Sequence, residues 1–106
     1  MKVVTISGSM RFAEQMKRIA RNLETKYGYC ALQAVYNEDK INESLDELER
    51  IFACHYKKID LSDAIYVVNI GGYIGDATKS EIAYAKSRGK EVIYHEPIKE
   101  GKKHGK

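Results

Sequence analysis

The chain has no tryptophan, one proline (Pro97), two phenylalanines and two cysteines among its 106 residues. Its longest apolar runs are strand-sized. Each scarcity narrows the field. Runs that short offer no candidate for a membrane-spanning helix. Cys30 and Cys54 fall in different segments without a metal-ligand spacing, so they predict buried free thiols in a reducing cytoplasm and not a disulfide scaffold. Few glycines and prolines beside an apolar share of 43% argue for a folded globule. The formal charge is only +3, and much of it lies in Lys99-Glu100-Gly101-Lys102-Lys103-His104-Gly105-Lys106. No aromatic is interleaved with those lysines, so a nucleic-acid arm is not expected. Residues 97–106 read as a solvated, mobile basic tail behind one domain over 1–96. At the other end Lys2-Val3-Val4-Thr5-Ile6 enters a strand at once, which leaves no room for a signal peptide.

What is present is an alternation of strand and helix, the mark of a parallel sheet built from βαβ units. Strands are expected at Lys2–Ser7, Tyr29–Val35, Ala64–Ile70 and Glu91–His95. Phe12, Met16, Ile19, Ala20 and Leu23 form one helical stripe, which Gly28 ends. A polar loop over Tyr36–Asn42 leads to Ser44, whose spacing to Glu47 fits a capping box. Leu45, Leu48, Phe52, His55 and Ile59 make the apolar face of a second helix, and Thr78–Arg88 a third, stopped by Gly89. Right-handed crossovers favour a small doubly wound α/β fold, a three-layer sandwich of strand order 2-1-3-4. The winding reverses between the first and third strands. Ligands bind outside the carboxyl ends of strands at such a switch point.

Two loops meet there. Ser7-Gly8-Ser9-Met10-Arg11 suits a phosphate or sugar-hydroxyl cradle, with small residues exposing backbone amides and Arg11 adding a fixed cation. The competing reading is a plain βα turn with Ser9 as N-cap and Arg11 in solvent. In the second loop Gly71, Gly72 and Gly75 permit positive φ, and Tyr73 can stack on a flat base or on the loop itself. Beyond it Thr78-Lys79-Ser80-Glu81 is a capping-box pattern, so Glu81 is either a helix cap or a carboxylate offered to the cleft. The two are compatible, since a helix amino terminus keeps a carboxylate ionised. Tyr84 shares its face and can donate to it. Asp76 caps the helix or points into the cleft. His55 reads as a packed core histidine, Asp60 and Asp63 as turn closers, and His95 as a secondary candidate on the ligand side.

The chain resembles the nucleoside 2-deoxyribosyltransferase-like superfamily, which includes base-exchanging transferases and related deoxynucleotide N-hydrolases. Ser7-Gly8-Ser9-Met10-Arg11 is similar to the G-S-[IM]-R loop of the hydrolase branch, which holds a 5′-phosphate. Flavin reductases share G-S-x-R after a first strand. More specific is the stretch from Ser62-Asp63-Ala64 through Gly75 to Glu81-Ile82-Ala83-Tyr84-Ala85, similar to the family's strand, glycine loop and helix bearing a nucleophilic glutamate. The resemblance implies that Glu81 is the nucleophile, that Ser7, Gly8, Ser9, Met10 and Arg11 hold phosphate or sugar, and that Gly75 and Thr78 contact the sugar. Gly72 and Tyr73 would border the base. The family's acidic pair before the nucleophile is reduced to Asp76, and the acid that protonates the leaving base has no counterpart.

The expectation is a cytoplasmic enzyme that cleaves or transfers the N-glycosidic bond of a deoxynucleoside or its 5′-monophosphate, without metal or cofactor. A domain this small encloses a nucleotide poorly, so a homodimer or larger homo-oligomer is expected. A non-catalytic nucleotide sensor and a flavodoxin-like flavin protein are the alternatives.

Overall fold

The computed structural model describes residues 1–36 and 41–98. Residues 37–40 of the predicted loop and 99–106 of the predicted basic tail lie outside them. Four parallel strands form the sheet: Val3–Gly8 (β1), Cys30–Leu32 (β2), Ala64–Val68 (β3) and Glu91–Tyr94 (β4). Their order is β2-β1-β3-β4, the one favoured from the sequence. The helices are Ala13–Tyr27 (α1), Leu45–Leu61 (α2) and Asp76–Ser87 (α3).

Strand alternation builds the layers. Val4 and Ile6 of β1 turn to one face, where Met16, Ile19, Ala20 and Leu23 of α1 bury the stripe read from the sequence. Gly28, in the left-handed region, closes that helix by donating to the Leu23 carbonyl. On the opposite face Ile65 and Val67 of β3 meet Ile59 of α2 with Ile82 and Ala85 of α3. The capping box of α2 forms as predicted, with the Ser44 side chain accepting from the Glu47 amide and the Glu47 carboxylate accepting from the Ser44 amide.

Several boundaries differ from expectation. β2 pairs over three residues only, because it is an edge strand and the chain leaves the sheet at Gln33, whose carbonyl is held by Lys58 Nζ at 2.6 Å. β3 ends at Val68, where Asn69 turns away and clamps the segment after β4: its Nδ2 donates to the Glu96 carbonyl and its Oδ1 accepts from the Glu96 amide. Of the stripe predicted on α2 only His55 and Ile59 are buried, while Leu45 and Phe52 are 79% and 57% exposed. α2 runs antiparallel to the strands, so its first half stands above their carboxyl ends with no sheet beneath it. Both cysteines are free, but Cys30 is half-buried and Cys54 exposed, so neither is the buried thiol expected. Among the described residues no helix is long and apolar enough to cross a membrane.

Candidate functional site

The overhang of α2 leaves a cavity of about 510 Å³ at the switch point. Gly8, Ser9 and Met10 form one rim; Tyr73, Gly75 and Asp76 form another. Phe52 and His55 close the α2 side, and Thr78 and Glu81 of α3 reach in from below. The turns after β1 and β3 therefore face one cleft, as the topology requires.

Each turn has a local cause. Ser9 caps a 3-10 turn at Met10–Phe12, its Oγ accepting from the Arg11 amide at 3.2 Å. That is the plain-turn reading of Ser9, though the residue also borders the cavity. Gly8 is small for packing: a Cβ there would lie 3.1 Å from Val68 Cβ and 3.2 Å from Met16 Sδ. In the second loop Gly71 and Gly72 adopt φ of 66° and 83°, which residues with a Cβ rarely hold. Gly75 does not need such freedom; it is extended, at φ −75°, and serves as the N-cap of α3.

That cap position overturns one reading of Glu81. α3 starts at Asp76, two residues earlier than expected, with the Lys79 amide already donating to the Gly75 carbonyl at 2.9 Å. Thr78 is inside the helix and buried, so the Thr78–Glu81 capping box does not form. The carboxylate is freed for the cleft. Its side chain is 15% exposed, and Oε1 lies 3.5 Å from Nε2 of His55, itself 11% exposed. The same Nε2 is 3.5 Å from Oγ of Ser7, a buried residue under the cavity floor. Burial pushes the Tyr56 phenol above its ordinary range, and the nearby charge of Glu81 pushes it further.

Not every expected residue converges. Arg11 does not line the cavity; its guanidinium lies 3.8 Å above the Tyr73 ring, bracing the two turns to each other at the mouth. Phe12 meets the same ring edge-on at 6.1 Å. Gly72 shapes its loop without reaching the cavity. Tyr84 donates to Asp60 at 2.7 Å, not to Glu81, and Arg88 joins the same carboxylate at 3.3 Å. Asp60 is thus a link between α2 and α3, not a turn closer; the Tyr84 hydrogen bond, with help from Arg88, holds its carboxyl below the usual range. His95 bonds Tyr66 Oη through Nδ1 at 2.8 Å and takes no part in the cavity.

His55 is the residue that sequence reasoning undervalued. The available signal was the V-T-I-S run of β1, which puts Thr5 and Ser7, both buried, on a face that should meet an apolar helix. Buried hydroxyls need partners, and α2 supplies Ser62 and His55. Among the described residues no group of three His, Cys, Asp or Glu side chains can hold a metal ion.

The fold has a solved counterpart. The chain is similar to a 2-desoxiribosyltransferase from Leishmania mexicana, with a TM-score of 0.65 and 19% sequence identity. The match covers 89% of this chain and 63% of that one, so the present sequence spans less than two thirds of its neighbour. At that identity the likeness establishes a shared α/β architecture. No protein-family model matches the chain, and no curated protein does at significance.

Proposed function

We propose that this protein cleaves or transfers the N-glycosidic bond of a deoxynucleoside or its 5′-monophosphate, with Glu81 as nucleophile. One observation carries the reading: Glu81 is not spent on capping its own helix and instead lines the cavity at the switch point, beside an imidazole. The described polar contacts of its carboxylate are otherwise nil, which leaves lone pairs for an electrophile. The likeness to a 2-desoxiribosyltransferase supports the substrate class.

In this reading a Glu81 oxygen attacks the anomeric carbon as the bond to the base breaks through an oxocarbenium-like transition state. The base leaves with the electron pair of that bond and takes up a proton from water. Water, or the nitrogen of a second base, then displaces the glutamate from the glycosyl ester. The apolar wall of Met10, Val35, Leu48 and Phe52 suits a flat base, with Tyr73 at its edge. Asp76 and Thr78 lie in the first turn of α3, where no side chain caps the helix and its amides can meet sugar hydroxyls. Ser9 and Arg11 would take the 5′-phosphate once the guanidinium turns its N–H edge from Tyr73 to the mouth. No cofactor is called for. A second copy of the chain would cover the exposed Leu45 and Phe52 and complete the outer wall.

Incubation with a panel of deoxynucleosides and their 5′-monophosphates, with free base as the readout, tests the proposal. Wild type is expected to release base and Glu81→Ala none. Equal release by both proteins, or none by wild type, would end it. Arg11→Ala is expected to raise KM for monophosphates alone; an equal effect on nucleosides would remove the phosphate role.

A further inference from the structure

α2 buries only two side chains, and one of them is an imidazole. Placing a polar ring where a leucine would pack is unfavourable unless the ring is hydrogen-bonded. The described contacts of His55 both use Nε2: Ser7 Oγ of β1 and Glu81 Oε1 of α3, each at 3.5 Å. An ionised carboxylate can only accept. Beside such a group the favourable tautomer carries the proton on Nε2, with Ser7 Oγ then the second acceptor of the same N–H. Glu81 has no other described polar contact, and its flexible side chain would otherwise sample several rotamers. The remaining ionisable side chains on the cavity wall are Glu43, Lys58, Tyr73 and Asp76. Of these Lys58 is the only ammonium, and it is engaged by the Gln33 carbonyl.

We propose, building on the assignment of Glu81 as nucleophile, that His55 is its positioning residue. The Nε2–H aims one carboxylate oxygen into the cleft and leaves the other free to attack, while Ser7 and the wall of α2 fix the ring. The chain of contacts parallels the recurring arrangement in which a group beside the nucleophile is itself oriented by a third. His55 touches the nucleophile and makes no bond to substrate.

Kinetics and imidazole ¹⁵N NMR test this together. His55→Ala is expected to lower kcat roughly 10- to 100-fold, the loss typical of a misaimed reacting group, with KM little changed. His55→Gln, whose amide N–H reaches the Nε2 position, is expected to recover most of that loss. In the NMR spectrum wild type should show the Nε2-protonated ring at neutral pH, and Glu81→Ala should lose that preference. If Glu81→Ala is inactive while His55→Ala keeps the wild-type kcat, the nucleophile stands and the role of His55 falls. A ring protonated only at Nδ1, or one whose signals ignore Glu81→Ala, also overturns it, even where His55→Ala does not fold. Base release unaffected by Glu81→Ala, or absent from wild type, removes the nucleophile and its positioning residue together.

Discussion

On one side of β1, Val4 and Ile6 meet a helix that buries Met16, Ile19, Ala20 and Leu23. On the other side of the same strand Thr5 and Ser7 meet a helix that buries only His55 and Ile59. Two residues per period are enough to write both faces. The α1 side is closed and apolar along the length of the helix. The α2 side joins a smaller apolar cluster around Ile59, Ile65 and Val67 to polar links, Thr5 to Ser62 and Tyr84 to Asp60, and opens above them into the cavity. A domain of this size has little apolar area to spare, so packed and open parts share one helix, with Ile59 in the core and Phe52 over the cavity.

That division can be broken in several ways. The largest contrast is expected between activity and stability at Glu81: Glu81→Ala should cost on the order of 10³-fold or more in base release, as nucleophile removal does. Its thermal midpoint should stay near that of wild type, because the buried imidazole of His55 keeps Ser7 as a partner when the carboxylate is gone. A large drop in melting temperature would show the carboxylate to be structural. Next comes the core itself. Met16→Ala and Ile59→Ala should each destabilise by about 2–5 kcal/mol in denaturant titrations, the usual range for emptying a buried site. Phe52→Ala, on the overhanging half of α2, should stay within about 0.5 kcal/mol while raising KM. A Phe52→Ala loss as large as that of Ile59→Ala would mean that the overhang is packed.

Smaller effects probe the polar links. Ser62 Oγ gives its proton to the Lys58 carbonyl at 2.8 Å, so Thr5 Oγ1 is the donor in the 2.6 Å bond between the two hydroxyls. Thr5→Val keeps the shape and removes that donor, and should cost about 1 kcal/mol. The smallest change is expected at Asp60. Its carboxyl is held low mainly by Tyr84, so the pair stabilises the fold above the unfolded carboxyl range and loses that contribution as pH falls through the lowered native value. In Tyr84→Phe the native value rises toward the unfolded one, and acid unfolding should begin at higher pH. An unchanged acid limb would mean that Arg88 alone sets the carboxyl.

Much of the fold was legible because it rests on local chemistry. The α1 stripe, the Ser44–Glu47 box and the Gly28 stop each involve residues within a few turns of one another. Connection handedness narrowed the strand order, and the short doubly wound arrangement favoured among the rest is the one found. What escaped notice depended on partners distant in sequence. T-x-x-E at Thr78 has the letters of a capping box, yet Gly75 and Asp76 start the helix earlier, and only the tertiary position of Thr78 in the core shows it. His55 read as a core residue from its place on an apolar stripe. It is buried, but against Ser7 and Glu81, 48 and 26 positions away in sequence. Arg11 was expected in the cleft; its stacking on Tyr73 could not be inferred from either loop alone.

The central claim is that Glu81 forms a bond to a sugar. The most direct test is incubation with a 2′-fluoro-2′-deoxynucleoside, which slows breakdown of a glycosyl ester, followed by mass spectrometry of the intact and digested protein. A single added fluorosugar on the peptide containing Glu81, absent from Glu81→Ala, is the predicted result. An enzyme that releases base from the parent deoxynucleoside yet carries no adduct, or carries it on another residue, would contradict the account.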